Sequence, residues 1–180
     1  MQLIFWKENT AMKGFEQVDI TAVSDNFFER IGSQWTLITA GTQDKFNTMT
    51  ASWGGTGVLW NRNVVFSFIR DSRYTLEFVD GSEYYTLSFF GGDYMKELAF
   101  CGRNSGRDVD KIAATGLTPV FDREAPYFEQ ADLVLVCKKL YKQKMQPECF
   151  IDRDALDKWY ADSDFHEVFV GEIVAALKRS

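Results

Sequence analysis

NTMTASWGG, residues 47 to 55, decides how this chain reads. Upstream, QWTLITAGT (34–42) has the pattern of a half-buried strand, and downstream VVFSFI (64–69) has the pattern of another. Between them Asn47, Thr48, Thr50 and Ser52 crowd small hydroxyl and amide groups onto a few residues, and two glycines follow. A plain core strand carries larger apolar side chains at several of those positions. The segment 46–53 therefore reads as a strand against which something lies that needs small polar groups and close backbone approach.

Outward from it the pattern continues as one domain over 1–180, without repeats or a low-complexity linker. A short helix is expected at 25–31 and strands at 34–42, 46–53 and 63–70. A helix starts at Ser72 and ends before Asp80-Gly81, and EYYTLSFF (83–90) is the next strand. Two helices follow, about 93–100 and 106–115, the second closed by Gly116 with Pro119 beyond it. ADLVLVCKKLYKQKM (131–145) is a long strand. HEVFVGEIVAALKR (166–179) is a strand pausing at Gly171, unless VAALKR closes it as a helical turn. The stretches 120–130 and 146–164 read as loop with short helical pieces. Long strands with few long helices between them point to a mainly β fold with some α, an antiparallel barrel rather than a doubly wound sheet.

Composition narrows the function. At 180 residues the chain is long enough to bury a core without disulfides or metal. Sixteen phenylalanines and 16% aromatics favour a β-rich core or a site for a flat ligand. A net charge of -6 opposes general nucleic-acid binding, which needs a basic face. No apolar run reaches the roughly 20 residues that span a bilayer, and MQLIFWKENTAMKG lacks the order of a signal peptide. The expected location is cytoplasmic, with neither nucleic acid nor membrane as a partner. Cys101, Cys137 and Cys149 form no C-x-x-C pair and read as buried or semi-buried structural thiols. No metal site is expected. G-G-T-G at 54–57 lacks the third glycine of the dinucleotide fold, and the Walker pattern is absent.

Two helix starts carry the chemistry. In IRDSRYT (69–75) a strand ends in Arg70 and Ser72 is placed to cap the next helix. In CGRNSGRDVDK (101–111) Ser105 and Asp108 have capping-box spacing, and Gly102 and Gly106 permit tight approach. Arg103, Arg107 and Lys111 are spaced so that two of them share a side. Helix N-termini with added arginines suit a phosphate. Taken singly, each start also reads as an ordinary capped helix. Two of them beside a small polar strand favour a phosphorylated ligand.

The order NTMTASW, FIRDSRYT, SFF, CGRNSGRDVDK and FHEVFVGEI resembles the flavin reductase-like, FMN-binding split-barrel family, in the branch that contains flavoredoxin. No single motif is diagnostic, but the order covers the chain from about Asn26 to Lys178. The resemblance implies a Greek-key antiparallel split barrel with short flanking helices, FMN as cofactor, and a homodimer. It implies that Met49, Thr50, Ala51, Ser52 and Trp53 run along the flavin ring, with Asn47 on the same strand. Arg70, Ser72, Arg73 and Thr75 would hold the ribityl and phosphate end. Ser88 and Phe89 would form the ring's other wall. Ser105, Gly106, Arg107 and Lys111, with Cys101 in the same motif, would complete the phosphate grip.

The function so implied is an FMN-dependent oxidoreductase working between a reduced nicotinamide, NAD(P)H, or a protein donor and a flavin or other acceptor. Two alternatives stay open: an electron-transfer flavoprotein of the flavoredoxin type without its own nicotinamide site, or a non-catalytic binder of FMN or a phosphometabolite. Hydride chemistry belongs to the cofactor, so a chain with one histidine and no triad suffices. That histidine, His166, is either a surface residue at a strand end or a neighbour of the open flavin face. Phe27, Phe28, Trp35, Trp60, Phe66 and Phe68 read mainly as core, and Trp53 as ring wall.

Overall fold

The computed structural model describes residues 14–180. The residues before them, which lack a signal-peptide pattern, lie outside the described residues. Strands β1 (Phe15–Val18), β2 (Thr36–Gly41), β3 (Phe46–Ala51), β4 (Gly54–Leu59) and β5 (Arg62–Arg70) occupy the first part of the chain. Helix α1 (Phe27–Gly32) lies between β1 and β2, and its first turn is capped by Asn26, whose side chain accepts from the Phe28 amide. Next come α2 (Thr75–Gly81), β6 (Tyr84–Phe89), α3 (Met95–Arg103) and α4 (Lys111–Thr115). Two short strands, β7 (Pro119–Val120) and β8 (Tyr127–Phe128), precede β9 (Leu133–Lys144), α5 (Arg153–Trp159) and β10 (His166–Arg179).

One antiparallel sheet runs in the order β3-β2-β6-β9-β10-β5-β4, with β1 added along the far end of β10. The connection from β5 to β6 passes over α2 and skips two strands that come later in the chain, which is a Greek-key crossover. The two edge strands are consecutive in sequence, with only Ser52 and Trp53 between them. The chain thus passes directly from one edge of the sheet to the other, yet no ladder joins β3 to β4, and the barrel is split there. Strand β10 carries its pairing through irregularities at Val170/Gly171 and Ile173/Ala175. A Cβ on Gly171 would come 2.5 Å from the Tyr85 hydroxyl, so the bend lets Tyr85 fill the interior.

The interior is closed by Ile38, Met49, Val65, Ile69, Leu87, Phe89, Leu135 and Phe169, with Val79 of α2 plugging one end. A second apolar layer lies on the outer face, where α3 and the β7–β8 hairpin cover Leu37, Val134 and Val136. This alternation of strand residues between the two layers is what the sequence pattern required.

Several expected boundaries move. The strand foreseen over 46–53 stops at Ala51, and the glycine-rich 54–57 opens a strand of its own. The helix expected from Ser72 begins at Thr75, and that expected over 106–115 is confined to 111–115. Asp110 caps the latter, accepting from the amides of Ile112 and Ala113. Ser105 instead accepts from the Arg107 amide within a preceding turn. The closing segment VAALKR stays in the strand, held by β9 on one side and β1 on the other. Among the described residues no helix is long and apolar enough to cross a membrane.

Candidate functional site

Strand β3 exposes its chemistry at the split. Asn47, Met49 and Ala51 face one way, and Thr48 and Thr50 the other. The Thr48 hydroxyl bonds that of Thr39 at 2.9 Å, and the Thr50 hydroxyl donates to the Leu98 carbonyl of α3. A Cβ on Gly102 would lie 3.3 Å from the Thr50 Cβ, so α3 packs tightly on the strand. Part of the smallness of NTMTAS thus serves helix packing rather than a ligand. The Asn47 amide donates to the Thr75 hydroxyl at 2.9 Å, and a Cβ on Gly106 would sit 2.1 Å from Asn47 Oδ1. Strand, helix start and loop interlock at that point, and only glycine fits at 106.

Two adjoining cavities share Met49 and Arg73. The smaller, about 120 Å³, is bounded by Asn47, Ser72, Thr75, Ser105, Gly106 and three cations, Arg73, Arg103 and Lys111. None of these three forms an ion pair with a carboxylate among the described residues. Lys111 is buried, its ammonium donating to the carbonyls of Thr48 at 2.7 Å and Cys101 at 2.8 Å. Burial, and then the nearby Arg73, push its pKa down. Arg73 is held by a 2.6 Å bond to the Gly102 carbonyl. A small cleft with three uncompensated cations suits a phosphate.

The larger cavity, about 230 Å³, is walled by Met49 to Trp53, Phe68, Arg70, Arg73, Trp159 and His166. Trp53 is half-exposed and lies edge-on to Trp159 with ring centroids 5.1 Å apart, and 5.3 Å from the His166 ring. His166 is buried rather than a surface residue, and its Nδ1 lies 2.7 Å from the Tyr160 hydroxyl. Burial, with Arg70 and Arg73 nearby, lowers its pKa to about 4, so the ring is neutral at ordinary pH.

Arg70 and Ser72 are engaged differently from the expectation. The Arg70 guanidinium donates to the carbonyls of Asp164 at 2.9 Å and Trp159 at 2.8 Å. The Ser72 amide and hydroxyl donate to the two carboxylate oxygens of Asp164 at 3.0 and 2.6 Å. Arg107 stays outside the smaller cavity, exposed, paired with Glu77 and lying over the Tyr74 ring. Cys101 is buried on α3 and contributes only its carbonyl, to Lys111; burial raises its thiol to about 11.

Ser88 and Phe89 do not reach either cavity. Ser88 stands opposite Leu37 and Val134, and its buried hydroxyl has no hydrogen-bond partner among the described residues. Phe89 is fully buried in the barrel interior. Phe28 and Trp60, read as core, are largely exposed, as is Cys149. The cavities also recruit residues outside the expected set. Arg103 lay in the quoted motif but was not assigned to the site, whereas Trp159 comes from a stretch that carried no pattern.

A family model described as "Flavin reductase like domain" matches residues 28–180. Among solved structures, flavoredoxin from Methanosarcina acetivorans aligns at 25% identity over 79% of this chain and 67% of that one, with a TM-score of 0.60. Flavoredoxin of Desulfovibrio vulgaris aligns at 22% identity over 81% and 69%, with a TM-score of 0.61. An FMN-binding domain of a flavin reductases-like enzyme from Shewanella baltica aligns at 14% identity over 92% and 77%, with a TM-score of 0.65; these last two bear on the fold alone. No curated protein sequence matches. The family match over most of the chain, carried by the split barrel described above, makes this protein a member of the flavin reductase-like family.

Proposed function

We propose that the chain is an FMN-dependent oxidoreductase that accepts electrons from a reduced nicotinamide or a protein donor and passes them to a second acceptor. The observation that carries this reading is the junction of a triply cationic cleft with an aromatic cavity along the end of one strand. FMN is the cofactor that such a pair of compartments suits, and its ring system supplies the hydride and single-electron chemistry. Arg73, Arg103 and Lys111 would neutralise the phosphate, while Asn47, Thr75 and Ser105 line the same cleft. Ala51, Ser52 and Trp53 would follow the ring edge, with Phe68 and Trp53 excluding water. A neutral His166 adds no charge there and keeps its ring fixed through Tyr160.

A second reading, an electron-transfer flavoprotein with no nicotinamide site, is favoured by one feature: Trp159 lines the ring-end cavity edge-on to Trp53. The homodimer belongs to the same proposal, supported by apolar side chains left on the surface at Val58, Trp60 and Ile151.

The test is purification followed by an absorption spectrum, mass identification of the released cofactor, and anaerobic titration with NADH and NADPH. A flavin spectrum with FMN released, bleached by either nucleotide, is the expected result. A flavin spectrum that resists both but yields to a protein reductant selects the second reading. Absence of bound and bindable flavin overturns both.

A further inference from the structure

The segment between β9 and β10 is attached in an unusual way. Helix α5 buries none of its residues, so its own apolar surface does not hold it down. The segment is anchored by the aromatic cluster of Phe150, Tyr160, Phe165 and His166, and its end is tied by a short set of polar contacts from the end of β5. Arg70 ties the carbonyls of Trp159 and Asp164, Ser72 takes both carboxylate oxygens of Asp164, and the Asp71 amide donates to the Phe165 carbonyl at 3.2 Å. The Arg70 guanidinium also lies over the Tyr160 ring at 5.2 Å. The residue this arrangement places over the larger cavity is Trp159. Its contact with Trp53 is the only tryptophan pair in ring contact among the described residues.

We propose that Trp159 is a specificity-determining cap on the ring-end cavity, and that the Ser72–Asp164 pair is the latch that positions it. The cap presents an aromatic edge, so it admits a flat π system lying against Trp53 and excludes bulkier acceptors from the same face. The carboxylate of Asp164 is well matched to its role. Two donors from one residue fix both of its oxygens, as a bidentate partner would, and a charge-assisted pair of this kind is stronger than neutral hydrogen bonds. Ser72 is therefore a positioning residue acting through Asp164. The phosphate is left to the three cations of the neighbouring cleft. The assignment of the cavity to a flavin ring rests on the function proposed above; the position of Trp159 does not.

The experiment has one arm that needs no cofactor. In the apo protein the Trp53–Trp159 pair is expected to give an exciton couplet in circular dichroism, and Trp159→Phe, by abolishing it, identifies the signal. Ser72→Ala and Asp164→Ala are expected to lose most of that couplet with cooperative melting retained, while Ser72→Thr, which keeps the hydroxyl, restores it. In the second arm FMN is titrated into the same variants. Loss of the latch is expected to raise bound-flavin fluorescence severalfold, because the quenching indole is no longer held at the ring. It is also expected to lower KM for bulky acceptors relative to ferricyanide, while Asp164→Ala, at a residue that lines neither cavity, keeps FMN affinity within a few-fold. A couplet that persists in both Ala variants overturns the latch. A loss of FMN affinity of about tenfold or more in Ser72→Ala overturns the division of labour, since Ser72 would then serve the phosphate. Failure of FMN to bind the unaltered protein removes the flavin reading and leaves the dichroism arm to decide the latch.

Discussion

The Lys111 ammonium donates to the Thr48 carbonyl at 2.7 Å, binding a helix start to a strand 63 residues earlier. Because the Cys101 carbonyl takes a second proton at 2.8 Å, the charge is fixed at the junction of β3, α3 and α4. Replacing Lys111 by Met strips two buried carbonyls of their partner, a loss of roughly 1.5–3 kcal/mol. The variant should melt at a lower temperature, and its FMN affinity should fall by at least about tenfold. Calorimetric titration alongside thermal melting checks both. Undiminished affinity would remove Lys111 from the phosphate cleft.

Arg107 offers the contrast. Its exposed pair with Glu77 contributes about 0–1 kcal/mol, and it does not line the smaller cavity. Arg107→Ala is expected to bind FMN like the unaltered protein, whereas Arg73→Ala and Arg103→Ala each weaken binding. A large effect confined to Arg107 would show that the phosphate lies on the other side of Gly106.

At the ring end, Ala51 is both part of the interior core and a wall of the larger cavity. Ala51→Leu should therefore lose flavin and also cost about 1–3 kcal/mol through overpacking. Ser52, exposed at the same wall, separates the two effects. Ser52→Val should leave the melting temperature unchanged and reduce FMN affinity, read by absorbance titration.

His166 gives a pH signature. Its folded-state pKa of about 4 lies below the ordinary value of 6.5, so folding favours the neutral ring. The corresponding stability is fully present above about pH 6.5 and is lost as the pH falls towards the folded value. Since the chain has one histidine, a single imidazole resonance reports the titration directly. Urea denaturation at a series of pH values should show His166→Gln with a flatter acid limb. An imidazole titrating near its ordinary value in the folded protein would contradict the burial seen here.

The barrel was legible because period-two alternation survives in β2, β5, β6 and β9, where one side chain in two enters the interior. The end of β3 and the glycine-rich strand after it were not, since glycines carry no alternation to read. The Ser105–Asp108 spacing imitates a capping box, but Asp110, with two amides in reach, outcompetes it. Asn47 and Lys111, picked out from local motifs, both line the smaller cavity. Ser88 and Phe89 line neither cavity, and motif order does not tell which face of β6 meets which layer. Trp159 had no local signal, because its position depends on Arg70, 89 residues earlier in the chain.

The split between β3 and β4 has a bearing on colloidal behaviour. A sheet edge with free amides invites strand addition by a second chain and, from there, fibrils. Here α1 packs against β4 and α3 against β3, with Ile31 reaching Gly54 and Thr50 meeting Gly102. Each edge is thus screened by a helix. Loosening α3, for example by a bulky residue at Gly102, is expected to start aggregation well before the barrel core itself opens.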